Sequence, residues 1–97
     1  MNLQVTFKHM DTSPHTESYV TTKLSKLCDK YVAGHDVKAH AVLTVEKIRF
    51  ISNLAVHVDG SILSATEEGT QMLESVDLAL AKLERQLHDF KTKVRGH

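Results

Sequence analysis

The sequence predicts an α+β domain of order β-α-β-β-β-α, a four-stranded mixed sheet with both helices packed on one face. Three observations carry this. Residues 37–46 alternate apolar and polar side chains, Asp59-Gly60 separates two further strand-like segments, and apolar residues from Leu73 to Val94 recur in steps of three and four. Strict alternation half-buries a strand, Asp-Gly is the chemistry of a tight antiparallel hairpin, and three-four spacing lays an apolar stripe along a helix.

The first strand is Leu3-Gln4-Val5-Thr6-Phe7, with Leu3, Val5 and Phe7 on one face. Ser13-Pro14 then opens a helix, because a serine hydroxyl accepts from an orphan amide and proline has no amide to lose at the first turn. That helix runs to about Tyr31, with an inward stripe of Val20, Leu24, Leu27, Cys28 and Tyr31, and Gly34 ends it. In the second strand Val37, Ala39, Ala41, Leu43 and Val45 alternate with Lys38, His40, Val42, Thr44 and Glu46. A loop holding Lys47, Arg49, Ser52 and Asn53 is expected next, then a third strand from Leu54 to Val58 and a fourth from Ser61 to about Glu67. From Thr70 a long helix follows, with Leu73, Val76, Leu80, Leu83, Leu87, Phe90 and Val94 on its apolar stripe. A sheet with one apolar face supplies the surface this stripe needs, which favours packing within the chain over a coiled coil. Both helices then cover that face, and a right-handed crossover makes the first two strands parallel neighbours.

One domain spanning 1–97 is all that 97 residues can build. With 41% apolar and 25% charged residues, 4 Gly and 1 Pro, the composition excludes a collagenous, low-complexity or disordered chain. Twelve Lys plus Arg balance twelve Asp plus Glu, so any attraction to a polyanion has to be local. The single cysteine, Cys28, rules out an internal disulfide and a cysteine-rich zinc site, and suits a reducing cytosol. MNLQVTFKH lacks the form of a signal peptide and no stretch nears the roughly 18 apolar residues of a spanning helix, so a cytoplasmic protein without membrane contact is expected.

Local charge is the informative feature. Lys23, Lys26 and Lys30 stand at i, i+3 and i+7 on the outer side of the first helix. Lys82, Arg85 and Lys93 project away from the apolar stripe of the last helix, and Lys91 and Arg95 extend its positive end. From Lys82 to His97 five basic residues face only two acidic ones, Glu84 and Asp89, while Glu46, Asp59, Glu67 and Glu68 put acid in strands and turns. Two parallel helices with basic outer stripes make a ridge suited to a phosphate backbone, since each neutralised phosphate releases counterions. The other reading is a solvated face, with cations favoured near a helix C-terminus, and charge pattern alone favours it. Double-stranded RNA is read by shape and phosphate, so the lack of RRM aromatics or a KH loop does not oppose the first reading.

Among seven histidines, His40 and His57 share the open sheet face, but no third ligand follows at metal spacing and HExxH is absent. There is no GxSxG and no Gly-rich phosphate loop, and Cys28 points inward. No catalytic residue, metal, cofactor or small-molecule substrate is expected.

Phe7-Lys8-His9, Val45-Glu46-Lys47, His57-Val58-Asp59-Gly60, and Asp77 followed by Lys82-Leu83-Glu84-Arg85-Gln86-Leu87 carry a family resemblance in their order and spacing. Nearly the whole chain resembles the short ribosome hibernation promoting factors, relatives of the ribosome-associated inhibitor of translation. The resemblance implies a fold similar to double-stranded RNA-binding domains. It also implies docking on the 16S rRNA of the small ribosomal subunit, in the messenger and transfer RNA channel. Binding there excludes translation substrates and favours the stored, inactive ribosomes of stressed or stationary bacteria. Short members pair ribosomes together with a separate modulation factor, and a chain stopping at His97 looks like the short type. The family's basic positions fall on Lys23, Lys26, Lys82, Arg85, Lys91, Lys93 and Arg95, beside which Lys30 completes the first helix's stripe. Asp89 stands where relatives usually carry Lys, Leu73 replaces a common Tyr and Gln71 an Asp. Asp89 lies within a turn of Arg85 and Lys93 and partly cancels their field. A monomer off the ribosome is expected; the alternative is a homodimeric interaction module built on the long helix or the open sheet edge.

Overall fold

The computed structural model describes residues 1–95, and of 94 and 95 the backbone alone. Its elements are β1 (Asn2–Lys8), α1 (Pro14–Val32), β2 (Val37–Glu46), β3 (Arg49–Val58), β4 (Ser61–Gly69) and α2 (Met72–Arg95). The sheet order is β1-β2-β3-β4, with β1 parallel to β2 and the other neighbours antiparallel; the parallel β1–β2 pair and the antiparallel β3–β4 hairpin are those the sequence predicts.

The helix starts follow their local chemistry. Ser13 is extended, and its Oγ accepts from the Thr16 amide at 3.2 Å ahead of Pro14. At α2, Glu74 Oε1 accepts from the Thr70 amide at 2.7 Å and from its hydroxyl at 3.1 Å, so Thr70 precedes the first turn instead of joining it. Asp59 and Gly60, at φ 51° and 78°, form the two-residue hairpin between β3 and β4.

The expected loop through Asn53 is strand. Only Lys47-Ile48 turns, with Lys47 at φ 58°, and β3 begins at Arg49. Arg49, Ser52 and Asn53 are polar and resemble a loop, yet each finds a partner in the folded sheet. Arg49 pairs with Glu68 at 2.7 Å, and Asn53 donates to Thr66 Oγ1 at 2.6 Å. Ser52 is fully buried, its hydroxyl 2.7 Å from that of Ser75 on α2. Ser75 donates to the Met72 carbonyl at 2.7 Å, which leaves Ser52 to donate to Ser75.

One face of the sheet holds the core. Val37, Ala39, Ala41, Leu43, Leu54, Val56, Val58 and Ala65 meet Val20, Leu24, Cys28 and Val32 of α1 and Val76, Ala79, Leu80, Leu83 and Leu87 of α2. Leu27 and Tyr31, expected inside, are half-buried at the flank of α1. The opposite face carries Lys38 and His57 in the open, with His40 Nε2 in hydrogen-bond contact with Thr6 Oγ1 at 3.1 Å. Layering both helices on one side therefore presents their outer surfaces together, which is what positions the charged residues.

Candidate nucleic-acid interface

The helices lie side by side in the same direction, tied by a polar ladder. Tyr19 donates to Asp77 Oδ1 at 2.6 Å and Tyr31 to Glu84 Oε2 at 2.8 Å. Lys91 donates to the Lys30 carbonyl at 3.5 Å, in the last turn of α1, where a cation suits the helix dipole.

This packing sorts the cations into two sets. Lys23 and Lys26 of α1 and Arg85 and Lys93 of α2 are exposed, with no carboxylate within 4.0 Å among the described residues. The ammonium of Lys23 stands 5.5 Å from the centre of the Tyr19 ring. Lys30 and Lys82 are different: Lys30 reaches Glu84 at 3.4 Å, and Lys82 turns to the sheet edge to meet Glu67 of β4 at 2.5 Å. Lys91 is half-buried, 6.0 Å from the Tyr31 ring centre. Arg95 closes α2, and its side chain lies outside the described residues.

Lys82, Arg85, Asp89 and Lys93 repeat at i, i+3, i+7 and i+11, so they share one stripe of α2, and the Lys82–Glu67 contact fixes that stripe on the β4 side. The lysines of α1 form a second stripe. Between the two run Asp77 and Glu84, which charge counting places on a basic helix and the fold turns toward α1. Oδ1 of Asp89 lies 3.6 Å from Nδ1 of its neighbour His88.

Tyr19, Tyr31, Asp77 and Glu84 are the members of this surface that stripe reading passes over as functional residues. A signal existed: acids seven residues apart on α2 fall on one helical face, as the apolar positions do. What the sequence alone does not supply is the pairing of that face with α1.

Hydrogen bonding by Tyr31, with Lys30 beside it, holds the Glu84 carboxyl below its ordinary range, and the bond to Asp77 pushes the Tyr19 phenol up. A depressed folded value means that the Glu84 contribution is complete above the unfolded carboxylate pKa, about 4.3, and is lost as pH falls through the lower folded value. With 40% of the Glu84 side chain exposed, solvent screening limits this to about 1 kcal/mol. Thermal melting followed against pH is expected to fall below about pH 4, with a shallower acid limb in Glu84→Gln. An identical acid limb in that variant contradicts the assignment.

Two helices that expose cations with no carboxylate partner among the described residues, over a sheet-backed core, make a surface suited to a polyanion. Residues 3–95 match the family described as Sigma 54 modulation protein / S30EA ribosomal protein. The ribosome hibernation promoting factor of Salmonella typhimurium is 34% identical over 97 residues, covering 100% of both chains, and that of Escherichia coli is 32% identical with the same coverage. A ribosomal subunit interface protein from Coxiella burnetii superposes with a TM-score of 0.82 at 29% identity, over 95% of this chain and 99% of that one. The Thermus thermophilus Protein Y N-terminal domain shares the fold with a TM-score of 0.83 at 24% identity, over 93% and 99% of the two chains. The chain belongs to the ribosome hibernation promoting factor family.

Proposed function

We propose that this chain is a non-enzymatic, cytoplasmic ribosome hibernation factor. It binds 16S rRNA of the small subunit in the messenger and transfer RNA channel through the outer faces of α1 and α2. Its bulk there blocks translation, and with a ribosome modulation factor it promotes inactive ribosome dimers. The observation that carries the reading is the set of four exposed cations, Lys23, Lys26, Arg85 and Lys93, which have no carboxylate within 4.0 Å among the described residues. Phosphates neutralise such groups without first displacing a protein partner. The family membership and the names of the relatives support the ribosome as the target.

A homodimer built on the long helix needs the apolar stripe of α2 for a second copy. That stripe is already occupied: Val76, Leu83 and Leu87 are fully buried against the protein's own sheet. Burial of that stripe supports a monomer off the ribosome, and electrostatics holds the protein on RNA.

Electrostatic grip has a measurable signature. If each contact releases its condensed counterion, four phosphate contacts give a slope of about −3 in a plot of log affinity against log salt, at roughly 0.7 to 0.9 per contact. Co-sedimentation with purified small subunits over a salt series measures it. A slope near zero contradicts the proposal.

A further inference from the structure

The seam between α1 and α2 holds an open groove of about 300 Å³ whose chemistry a plain phosphate-binding face does not need. Lys23 and Lys26 form one wall, Leu27, Leu80 and Ala81 the apolar floor, and Asp77 and Glu84 the other wall. Carboxylates in the middle of a surface that attracts phosphates weaken that attraction. Nor do they neutralise the groove's own lysines, because neither Lys23 nor Lys26 comes within 4.0 Å of either carboxylate.

The carboxylates are only partly used. Tyr19 occupies Oδ1 of Asp77, and Tyr31 and Lys30 both occupy Oε2 of Glu84. Oδ2 of Asp77 and Oε1 of Glu84 have no protein donor among the described residues. A carboxylate offers about four acceptor positions, so each retains capacity for donors from outside, and the tyrosines hold it in place.

Building on the RNA-binding reading, we propose that this groove reads unpaired RNA bases and prefers guanine. Phosphates lie on Lys23 and Lys26, a base covers the apolar floor, and its edge meets Asp77 or Glu84. Single-stranded bases are recognised by stacking and by hydrogen bonds to their Watson–Crick edges. Guanine presents two adjacent N–H donors there, the complement of a carboxylate. Cytosine and adenine present an amino group beside a ring acceptor, and uracil presents two carbonyls flanking a single N–H. Carbonyl oxygens against a carboxylate repel, so the same groups that accept guanine reject uracil. The volume stands at the lower end of the range of small-ligand sites, about 300 to 1,000 Å³, which suits a base and not a duplex.

The test is fluorescence anisotropy with labelled single-stranded hexaribonucleotides, all-uridine against the same strand with one central guanine, adenine or cytosine. The wild-type protein is expected to bind the guanine strand about tenfold or more tightly than all-uridine, the scale of one good base contact. In Asp77→Asn combined with Glu84→Gln, an amide donor replaces an acceptor at each position. This variant is expected to lose the guanine preference and to bind all-uridine RNA at least as well as before. Equal binding of the four strands by the wild type, or no binding of any at up to about 1 mM, above the range of non-specific affinities, overturns the proposal. So does a guanine preference that survives in the variant. Co-sedimentation with small subunits is run in parallel: wild type that sediments without base preference sinks the groove assignment alone, whereas failure to sediment sinks the ribosomal reading itself.

Discussion

Alanine at Lys23, Lys26, Arg85 and Lys93 together is expected to lower affinity for the small subunit between about a hundredfold and a thousandfold, at roughly 1 kcal/mol per exposed charge. The salt slope should shrink by about one for each cation that contacts a phosphate. None of the four has a carboxylate within 4.0 Å among the described residues, so their removal orphans no acid and the melting temperature should hardly move. Lys30→Ala with Lys82→Ala gives a smaller loss, because Glu84 and Glu67 already offset those charges. Freeing Lys82 by Glu67→Gln should instead tighten binding. Equal losses from the paired and unpaired sets would mean that the ion pairs do not survive in solution or that these faces are not the contact surface.

Leu83→Ala is the complementary perturbation. Leu83 is fully buried on α2 in the same apolar cluster as Leu43, Leu54 and Val56 of the sheet. Removing its side chain leaves a cavity under α2 and costs about 2 to 5 kcal/mol, a large share of the roughly 5 to 15 kcal/mol that holds such a domain together. At about 4 to 8 °C per kcal/mol for a domain of this size, the melting temperature should fall by about 8 °C or more. No exposed charge is altered, so subunit binding per folded molecule, measured well below the transition, should be unchanged. A melting point within a few degrees of wild type would contradict the burial of this position.

On this proposal stability and binding reside in different residues of one helix, and the two differ in how far the sequence exposes them. Local rules reached most of the fold. Ser13-Pro14 starts α1, Asp59-Gly60 turns the hairpin, and the alternation of 37–46 half-buries β2, all through near neighbours in the chain. The start of β3 was not legible, because Ser52 is polar yet buried and owes its place to Ser75, 23 residues away on α2. The basic stripes were legible as stripes for the same local reason, since a helix fixes the spacing of Lys23, Lys26 and Lys30. Which of the cations are free was not. Lys30 and Glu84 are 54 residues apart, and only the docked helices bring them together. The groove between Asp77, Glu84 and the α1 lysines belongs to the same class of tertiary facts.

Whether the cationic helix faces grip RNA where translation substrates must sit is measured most directly by competition on purified small subunits. Subunits loaded with this protein are challenged with messenger and anticodon-paired transfer RNA, and every bound species is counted after sedimentation. Mutual exclusion is expected, with protein released in proportion to the RNA bound. Subunits that carry the protein, the messenger and the transfer RNA all at once would contradict it.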